Sequence, residues 1–409
     1  MGKKYWAAVD WSDDQHVVSI VDDERKKVKT FAVDHTDEGL DRMVDTLRKF
    51  VPLAGVAIEL KRGLVVQKLL DERLTVYPIN PKLSKKWRDA QSVNECKSDP
   101  GDAFMMSTGL QRYHEQLRPL EPDDPLTREL MGLCATECRF IRTHTVFVQQ
   151  LKACLKRYYP QALEWFDDWT GPTPLDFVKQ FPTPEELRKA TKSKLIGFLK
   201  THHLRLLPKW QQKIDQRAHD TWPHDQATTA AGKQEALGLI KMLRQTKQCI
   251  KEQRQAIKGL FGRHPDAAIF DSLPGVGVRL GPRLLSHFGT NRDRFPDVRP
   301  LQQLSGTAPV TRGSGKSYTV RIRRGCQKDF RNTMHWVAKC SINTCSWARA
   351  FYDKCRDAGD HDALALRKLA NRWLKIIFCM WKDRRLYDEG KYLESLIKRR
   401  SPLLRYMQS

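Results

Sequence analysis

The strongest constraint on this chain's fold is the alternation of short apolar runs near its N-terminus. YWAAVD at 5–10, VVSIV at 17–21 and VKTFAV at 28–33 have strand length and strand composition, and the charged turn DDERKK separates the last two. That spacing predicts a three-stranded meander. Leu40, Met43, Val44 and Leu47 then recur at helical intervals over 37–50. AGVAIEL at 54–60 reads as a fourth strand, 64–74 as a helix and TVYPI at 75–79 as a fifth strand. Strands followed by strand–helix–strand alternation predict an α/β sheet covered by helices.

Acids punctuate this pattern. Asp10 closes the first strand and Glu59 lies at the end of the fourth. Asp99 stands where a helix N-cap would, ahead of a segment from Pro100 to about Leu110, with Pro100 in the favoured first turn. Asp102, three residues on, shares the face of Asp99. Carboxylates from two strand ends and one helix start are the hard oxygen donors that suit Mg²⁺ or Mn²⁺. Two such ions activate a nucleophile and stabilise a leaving oxygen in phosphodiester chemistry. Capping and solvation also place acids at such positions, so spacing alone leaves both readings open.

Residues from about 125 to 262 read as almost wholly helical, with breaks near Pro172, Pro174, Pro182 and Pro184. Ala236, Leu239, Leu243, Thr246, Ile250, Gln253, Ile257 and Leu260 follow alternating steps of three and four. The pattern fits a coiled-coil seam, or one amphipathic helix packed on its own domain. A further domain begins near 266. Its LPGVG at 273–277 resembles a helix-hairpin-helix turn, in which Gly275 and Gly277 let backbone N–H groups approach a phosphate. The stretch 301–332 reads as loop-rich and basic. Within RGSGKS at 312–317, two glycines expose the Ser314 hydroxyl, with Arg312, Lys316, Arg321, Arg323 and Arg324 close in sequence. Such a hydroxyl beside cations can attack a phosphodiester; the alternative is a basic phosphate-binding loop with no nucleophile. The segment is not a P-loop, since position 310 is Val where that motif has Gly. Two helical stretches, about 330–356 and 361–385, follow.

Composition selects the partner. Lys and Arg total 72 against 48 Asp and Glu, a formal charge of +24. That surplus points to an anionic partner, nucleic acid first, through counterion release from phosphates. No apolar run reaches membrane-spanning length, so no membrane partner is expected. Asp10, Asp13 and Asp14 interrupt any signal-peptide core. The ten cysteines form no CxxC pair and no zinc-finger spacing, which fits core thiols in a reducing cytoplasm.

In this order, VDWS with Asp10, AIEL with Glu59, INP at 79–81, KSDPGDA with Asp99 and Asp102, LPGVG, LSGTAPVTRGSGKS at 304–317 and the basic RIRRGCQKDFRNTMHW resemble the transposases of the insertion-sequence one-ten family. The resemblance implies an RNase H-like fold of the Holliday-junction-resolvase type over 1–125, a helical linker and coiled coil over 126–265, and a mainly helical transposase domain over 266–409. It implies that Asp10, Glu59, Asp99 and Asp102 form a DEDD tetrad binding Mg²⁺. It implies that Ser314 attacks DNA and holds a covalent 5′-phosphoserine intermediate. Donor and target DNA and a structured non-coding guide RNA from the element are the implied partners. A dimer, assembling to a tetramer for strand exchange, is the implied state, and a prokaryotic nucleoid the implied location.

Two departures stand out. The E-x-x-G turn of the family is one residue longer here, Glu59-Leu60-Lys61-Arg62-Gly63, and the middle and C-terminal parts carry extra helical material. Ser305, after the apolar QQL, is expected to be buried, and Ser317 to begin a strand, so Ser314 is the preferred nucleophile. The rival readings are a metal-dependent nuclease or junction resolvase using water, and a non-catalytic nucleic-acid-binding protein.

Overall fold

A computed structural model of the chain describes residues 3–91, 99–217, 225–315 and 317–407. The chain divides into two compact units, Met1–Pro122 and Asp123–Ser409.

In the first unit, β1 (Tyr5–Asp10), β2 (Gln15–Asp22) and β3 (Lys27–Asp34) form the expected antiparallel meander. After α1 (Asp37–Arg48), β4 (Leu53–Ile58) lies parallel to β1; after α2 (Leu64–Asp71), β5 (Val76–Pro78) lies parallel to β4. The sheet order is β3-β2-β1-β4-β5. α3 (Pro81–Gln91) and α4 (Asp99–Tyr113) complete the unit. The period of two along β1 explains its unbroken apolar run. Ala7 and Val9 pack into a core shared with Leu40, Met43, Leu47, Val65 and Leu69 of α1 and α2. Trp6 and Ala8 pack on the other side with Trp87 of α3 and Met106 and Leu110 of α4. A strand covered on both faces has no polar face to present. Burial holds α1 in place: Leu40, Met43, Val44 and Leu47 are all buried, each stabilising by about 1.5–3 kcal/mol. Its start is fixed by the Thr36 hydroxyl, which accepts from the Gly39 N–H at 3.0 Å, and by Asp37 and Glu38 in the first turn.

The second unit begins with α5 (Pro125–Tyr158), capped by Asp124, whose carboxylate accepts from the Thr127 N–H at 3.0 Å. Short helices follow: α6 (Pro160–Trp165), α7 (Pro172–Gln180), α8 (Pro184–Lys189), α9 (Lys192–Thr201) and α10 (Pro208–Gln216). The prolines expected as breaks are also starts. Pro172 and Pro184 open α7 and α8, where a missing N–H costs no hydrogen bond. α11 (Gln226–Gly262) then runs antiparallel to α5, with Arg157 opposite Glu235, His144 opposite Thr246 and Glu137 opposite Arg254. Ala236, Leu243, Ile250 and Ile257, every seventh residue, are buried. Within this chain, the regular seam of α11 packs against α5.

α12 (Ala267–Asp271) and α13 (Gly277–Phe288) flank the LPGVG turn, and α14 (Arg299–Leu304) precedes a hairpin of β6 (Val310–Ser314) and β7 (Ser317–Arg321). The unit closes with α15 (Lys328–Ser341), α16 (Ser346–Asp357), α17 (Asp362–Asp383) and α18 (Glu389–Lys398). The single helix expected over about 330–356 is two, because the chain turns at 342–345; the Cys345 N–H returns to the Ser341 carbonyl at 3.0 Å. The regions 126–265 and 266–409, read from the sequence as separate domains, lie in one unit with two apolar cores. One core joins α5 to α11 through Leu151, Leu155, Ile240 and Leu243; the other gathers Phe288, Phe330, Trp347, Trp373 and Trp381.

Candidate active site

The parallel pairing of β1 and β4 is what assembles the acids. Val9 pairs with Ile58, so the next residues, Asp10 and Glu59, leave neighbouring strands at the same sheet edge. Carboxyl ends of parallel strands are where α/β sheets hold their ligands. α4 packs against β1, β2 and β4, and Asp99, expected from the sequence as a helix cap, lies with Asp102 in its first described turn. Its first turn therefore delivers Asp99 and Asp102 to that edge. All four carboxylates line one cavity of about 280 Å³. Asp99 is exposed, Asp10 and Glu59 are half-buried, and Asp102 is buried.

Among the cavity residues not singled out from the sequence are Ser84 and Arg88. They stand four apart on α3, hence on one face. The buried Ser84 hydroxyl is in hydrogen-bond contact with a Glu59 carboxylate oxygen. The Arg88 guanidinium forms an ion pair with Asp102, Nε to Oδ1 at 2.8 Å. The available signal was INP at 79–81, which opens the helix carrying both residues. Asn80 starts it: its side-chain oxygen accepts from the Lys82 N–H at 2.9 Å and its carbonyl from the Leu83 N–H at 2.7 Å.

The donor chemistry of the cavity, four carboxylates and the hydroxyls of Ser12 and Ser84, fits a hard divalent cation. As the side chains lie, however, no three His, Cys, Asp or Glu among the described residues form a ready metal cage. The positive charge at Asp102 comes from Arg88.

The remaining sequence-predicted residues lie in the second unit. Ser314 ends β6 and pairs with Ser317 across a tight turn in which Gly315 has φ +55°. Glycine meets that left-handed requirement without strain. Lys316 lies outside the described residues. The stretch expected to be loop is thus a β-hairpin, with Arg312 within β6 and an exposed Arg321 at the end of β7. Arg324 is exposed. Arg323 turns back on its own backbone and donates to the Ala308 and Pro309 carbonyls at 3.4 and 3.5 Å. Ser317 begins β7, as expected. Ser305 is fully buried and its Oγ lies 3.1 Å from the Thr307 hydroxyl, which removes it from contact with any polymer.

The LPGVG glycines do different work. At Gly275, φ is +73° and a Cβ would lie 2.8 Å from Thr344 Oγ1 and 3.0 Å from the Cys340 carbonyl, so it permits close approach to the end of α15. At Gly277, φ is +54° and a Cβ would meet open space at the exposed start of α13.

Comparison with known proteins finds transposases. Residues 7–160 match a family model described as Transposase, of the DEDD IS110 kind, and residues 267–353 match one described as Transposase IS116/IS110/IS902 family. The mini-circle putative transposase for IS117 of Streptomyces coelicolor is 29% identical over 96% of this chain and 97% of its own length. The insertion element IS900 uncharacterized 42 kDa protein of Mycobacterium paratuberculosis is 24% identical over 95% of this chain and 98% of its own. The insertion element IS110 uncharacterized 43.6 kDa protein of Streptomyces coelicolor is 25% identical over 72% of this chain and 73% of its own. A DEDD transposase domain implies an RNase H-like fold, with which the mixed sheet agrees, and it points to dependence on a divalent metal. Among the described residues, no helix is long and apolar enough to cross a membrane.

Proposed function

We propose that this chain, which belongs to the IS110 family of transposases and so is an enzyme of DNA transposition, cuts and rejoins donor and target DNA by serine transesterification at Mg²⁺-supported sites, guided by a structured RNA from its element. The observation that carries the reading is the gathering of Asp10, Glu59, Asp99 and Asp102 around one cavity at the carboxyl end of β1 and β4.

These four acids would hold Mg²⁺, or Mn²⁺ in its place. When bound, the metal supplies Lewis-acid polarisation of the scissile phosphate and charge neutralisation at the leaving oxygen. Arg88 would release Asp102 to such an ion, and Ser84 would keep Glu59 oriented through its hydroxyl. Ser314 is the nucleophile. Its hydroxyl loses a proton to a base, the Oγ–P bond forms, and the P–O3′ bond breaks. The products are a 5′-phosphoserine link and a free 3′-hydroxyl carrying a proton. Attack by the 3′-hydroxyl of a second strand reverses these changes: the new O3′–P bond forms, the Oγ–P bond breaks, and the serine regains its proton. Each exchange replaces one phosphodiester by another, so no external energy source is needed. Arg312, Lys316, Arg321 and Arg324 flank the serine and would grip backbone phosphates, while Gly277 leaves the start of α13 open to one. The net charge of +24 suits a complex that must neutralise two DNAs and an RNA. A homodimer, forming a tetramer in the synaptic complex, is the assembly this reading calls for.

The test is cleavage of labelled donor DNA by the protein with its element-derived RNA, with and without Mg²⁺. Asp10→Asn and Asp102→Asn are expected to abolish cleavage while binding persists. Ser314→Ala is expected to abolish it too. Full cleavage by Ser314→Ala would instead establish the water-using nuclease or junction resolvase. No cleavage by the wild type, with RNA and DNA bound, would establish the binding protein.

A further inference from the structure

The second unit carries a basic groove that the acidic cavity and the serine hairpin do not use. It has a volume of about 650 Å³ and lies along α11 and the first turn of α13. Arg244, Lys247, Lys251, Arg254 and Lys258 line it from α11, and Arg279 from α13. The five α11 cations follow steps of three, four, three and four, so they form one stripe on one helix face. Fourteen residues separate the first from the last, about 21 Å of helix at about 1.5 Å per residue.

The charge of the groove is not compensated from within. Glu137 is its single acidic lining residue, and that carboxylate is already bonded to Arg254 at 2.7 Å and to Arg283 at 2.7 Å. Arg244 pairs with Asp176, and the Lys247 ammonium reaches the Thr170 carbonyl at 3.4 Å. Among the described residues, no carboxylate pairs with Lys251, Lys258 or Arg279. All three are exposed. Ile250 and Ile257 lie beneath the stripe and are buried, which gives the lysine stems an apolar surface to lie on while their heads stay at the rim.

We propose that this groove is a track for the sugar–phosphate backbone of a double-stranded nucleic acid. A straight row of cations, on average about 5 Å apart, suits an anion that repeats along a line. An acidic peptide would need its carboxylates ordered at that spacing, whereas a duplex brings its phosphates ordered. About 21 Å spans roughly six nucleotides of one strand at about 3.4 Å per step. The exposed Val278 and Arg279, the two residues that follow the LPGVG turn at the start of α13, line the same groove. The start of α13 and the α11 stripe therefore line one groove. This inference rests on the reading of the chain as a nucleic-acid enzyme and assigns a holding surface separate from its chemistry.

The test is fluorescence anisotropy of the full-length protein with a labelled DNA duplex and with an RNA duplex of the same length, titrated across salt concentrations. The variant is Lys251→Gln/Lys258→Gln/Arg279→Gln, all surface changes. Each lost phosphate contact lowers the slope of log K against log salt by about 0.9, so the triple variant loses about 3 from the slope and binds roughly 100-fold more weakly at about 0.15 M salt. Lys391→Gln/Lys398→Gln/Arg399→Gln, on α18 and the residue that caps its end, removes the same charge elsewhere and is expected to bind near the wild-type level. Loss on DNA alone assigns the track to donor or target DNA, and loss on RNA alone assigns it to the guide. An unchanged slope on both duplexes in the first variant, or equal losses in the two variants, overturns the groove while leaving the transposase reading intact. A wild type that binds neither duplex overturns both.

Discussion

Removing Glu137 is expected to loosen the second unit through one buried charge. Glu137 is 3% exposed and joins three helices: from α5 it accepts from Arg254 of α11 and from the Arg283 Nε and guanidinium N–H of α13 at 3.2 and 2.7 Å. Burial alone would raise its carboxyl; the Arg254 and Arg283 hydrogen bonds outweigh that and hold it below the ordinary glutamate range. Glu137→Ala leaves the Arg283 side chain, only 11% exposed, without its anion. Breaking a buried pair from one side costs about 3–5 kcal/mol. Arg254 is more than a third exposed and regains water, so the lower figure, about 3 kcal/mol, applies. For a unit of this size that is about 6 °C in Tm. Differential scanning calorimetry should show the second unit's transition falling by this amount and the first unit's unmoved. Glu137→Met/Arg283→Met, which removes both charges, should recover at least half of the loss. A shift below about 2 °C for Glu137→Ala, or a double variant worse than the single, would refute the argument that an uncompensated arginine is the cause.

Other outcomes follow from the same geometry. Arg88→Met leaves the buried Asp102 without its cation, so Mn²⁺ should raise the Tm of this variant more than that of the wild type; an equal shift would contradict the role of Arg88 as the counter-charge of the cavity. Gly275→Ala should cost about 2–3 kcal/mol, because left-handed strain adds to a clash with the Cys340 carbonyl, whereas Gly277→Ala should cost about 1 kcal/mol from strain alone; equal losses in urea melts would refute the distinction. Burial alone would raise the Asp124 carboxyl, but bonds from Thr127 and Thr290 lower it from 3.8 to about 2. A depressed pKa stabilises above the unfolded value, so the contribution of Asp124 should be complete above pH 3.8 and vanish as pH falls towards 2. Asp124→Asn should flatten the acid limb of the second unit's stability in that window, and an unchanged limb would contradict the assignment.

Much of the first unit was legible because its signals are local. Period-two runs and the spacing of Leu40, Met43, Val44 and Leu47 give strands and a helix without reference to the rest of the chain. Asp10 and Glu59 were visible as strand-end acids, and parallel pairing turned two separate positions into neighbours. Ser84 and Arg88 were missed because their role exists only once α3 lies beside the sheet edge. The hairpin around Ser314 was hidden by its glycines: RGSGKS looks like loop, yet Gly315 serves the turn, and Tyr318, Thr319 and Val320 are strand formers. The break at 342–345 carries neither Gly nor Pro, so no local signal marked it. Glu137 stood as one acid on a long helix until α11 and α13 brought two arginines to it.

The most direct test of the account is whether DNA becomes covalently joined to Ser314. End-labelled donor DNA would be mixed with the protein, its element-derived RNA and Mg²⁺, denatured, digested with protease and mapped by peptide mass spectrometry. The account predicts a phosphoserine adduct on the peptide holding Ser314, absent in Ser314→Ala and in Asp102→Asn. Cleaved DNA with no adduct, or an adduct on another residue, would contradict it.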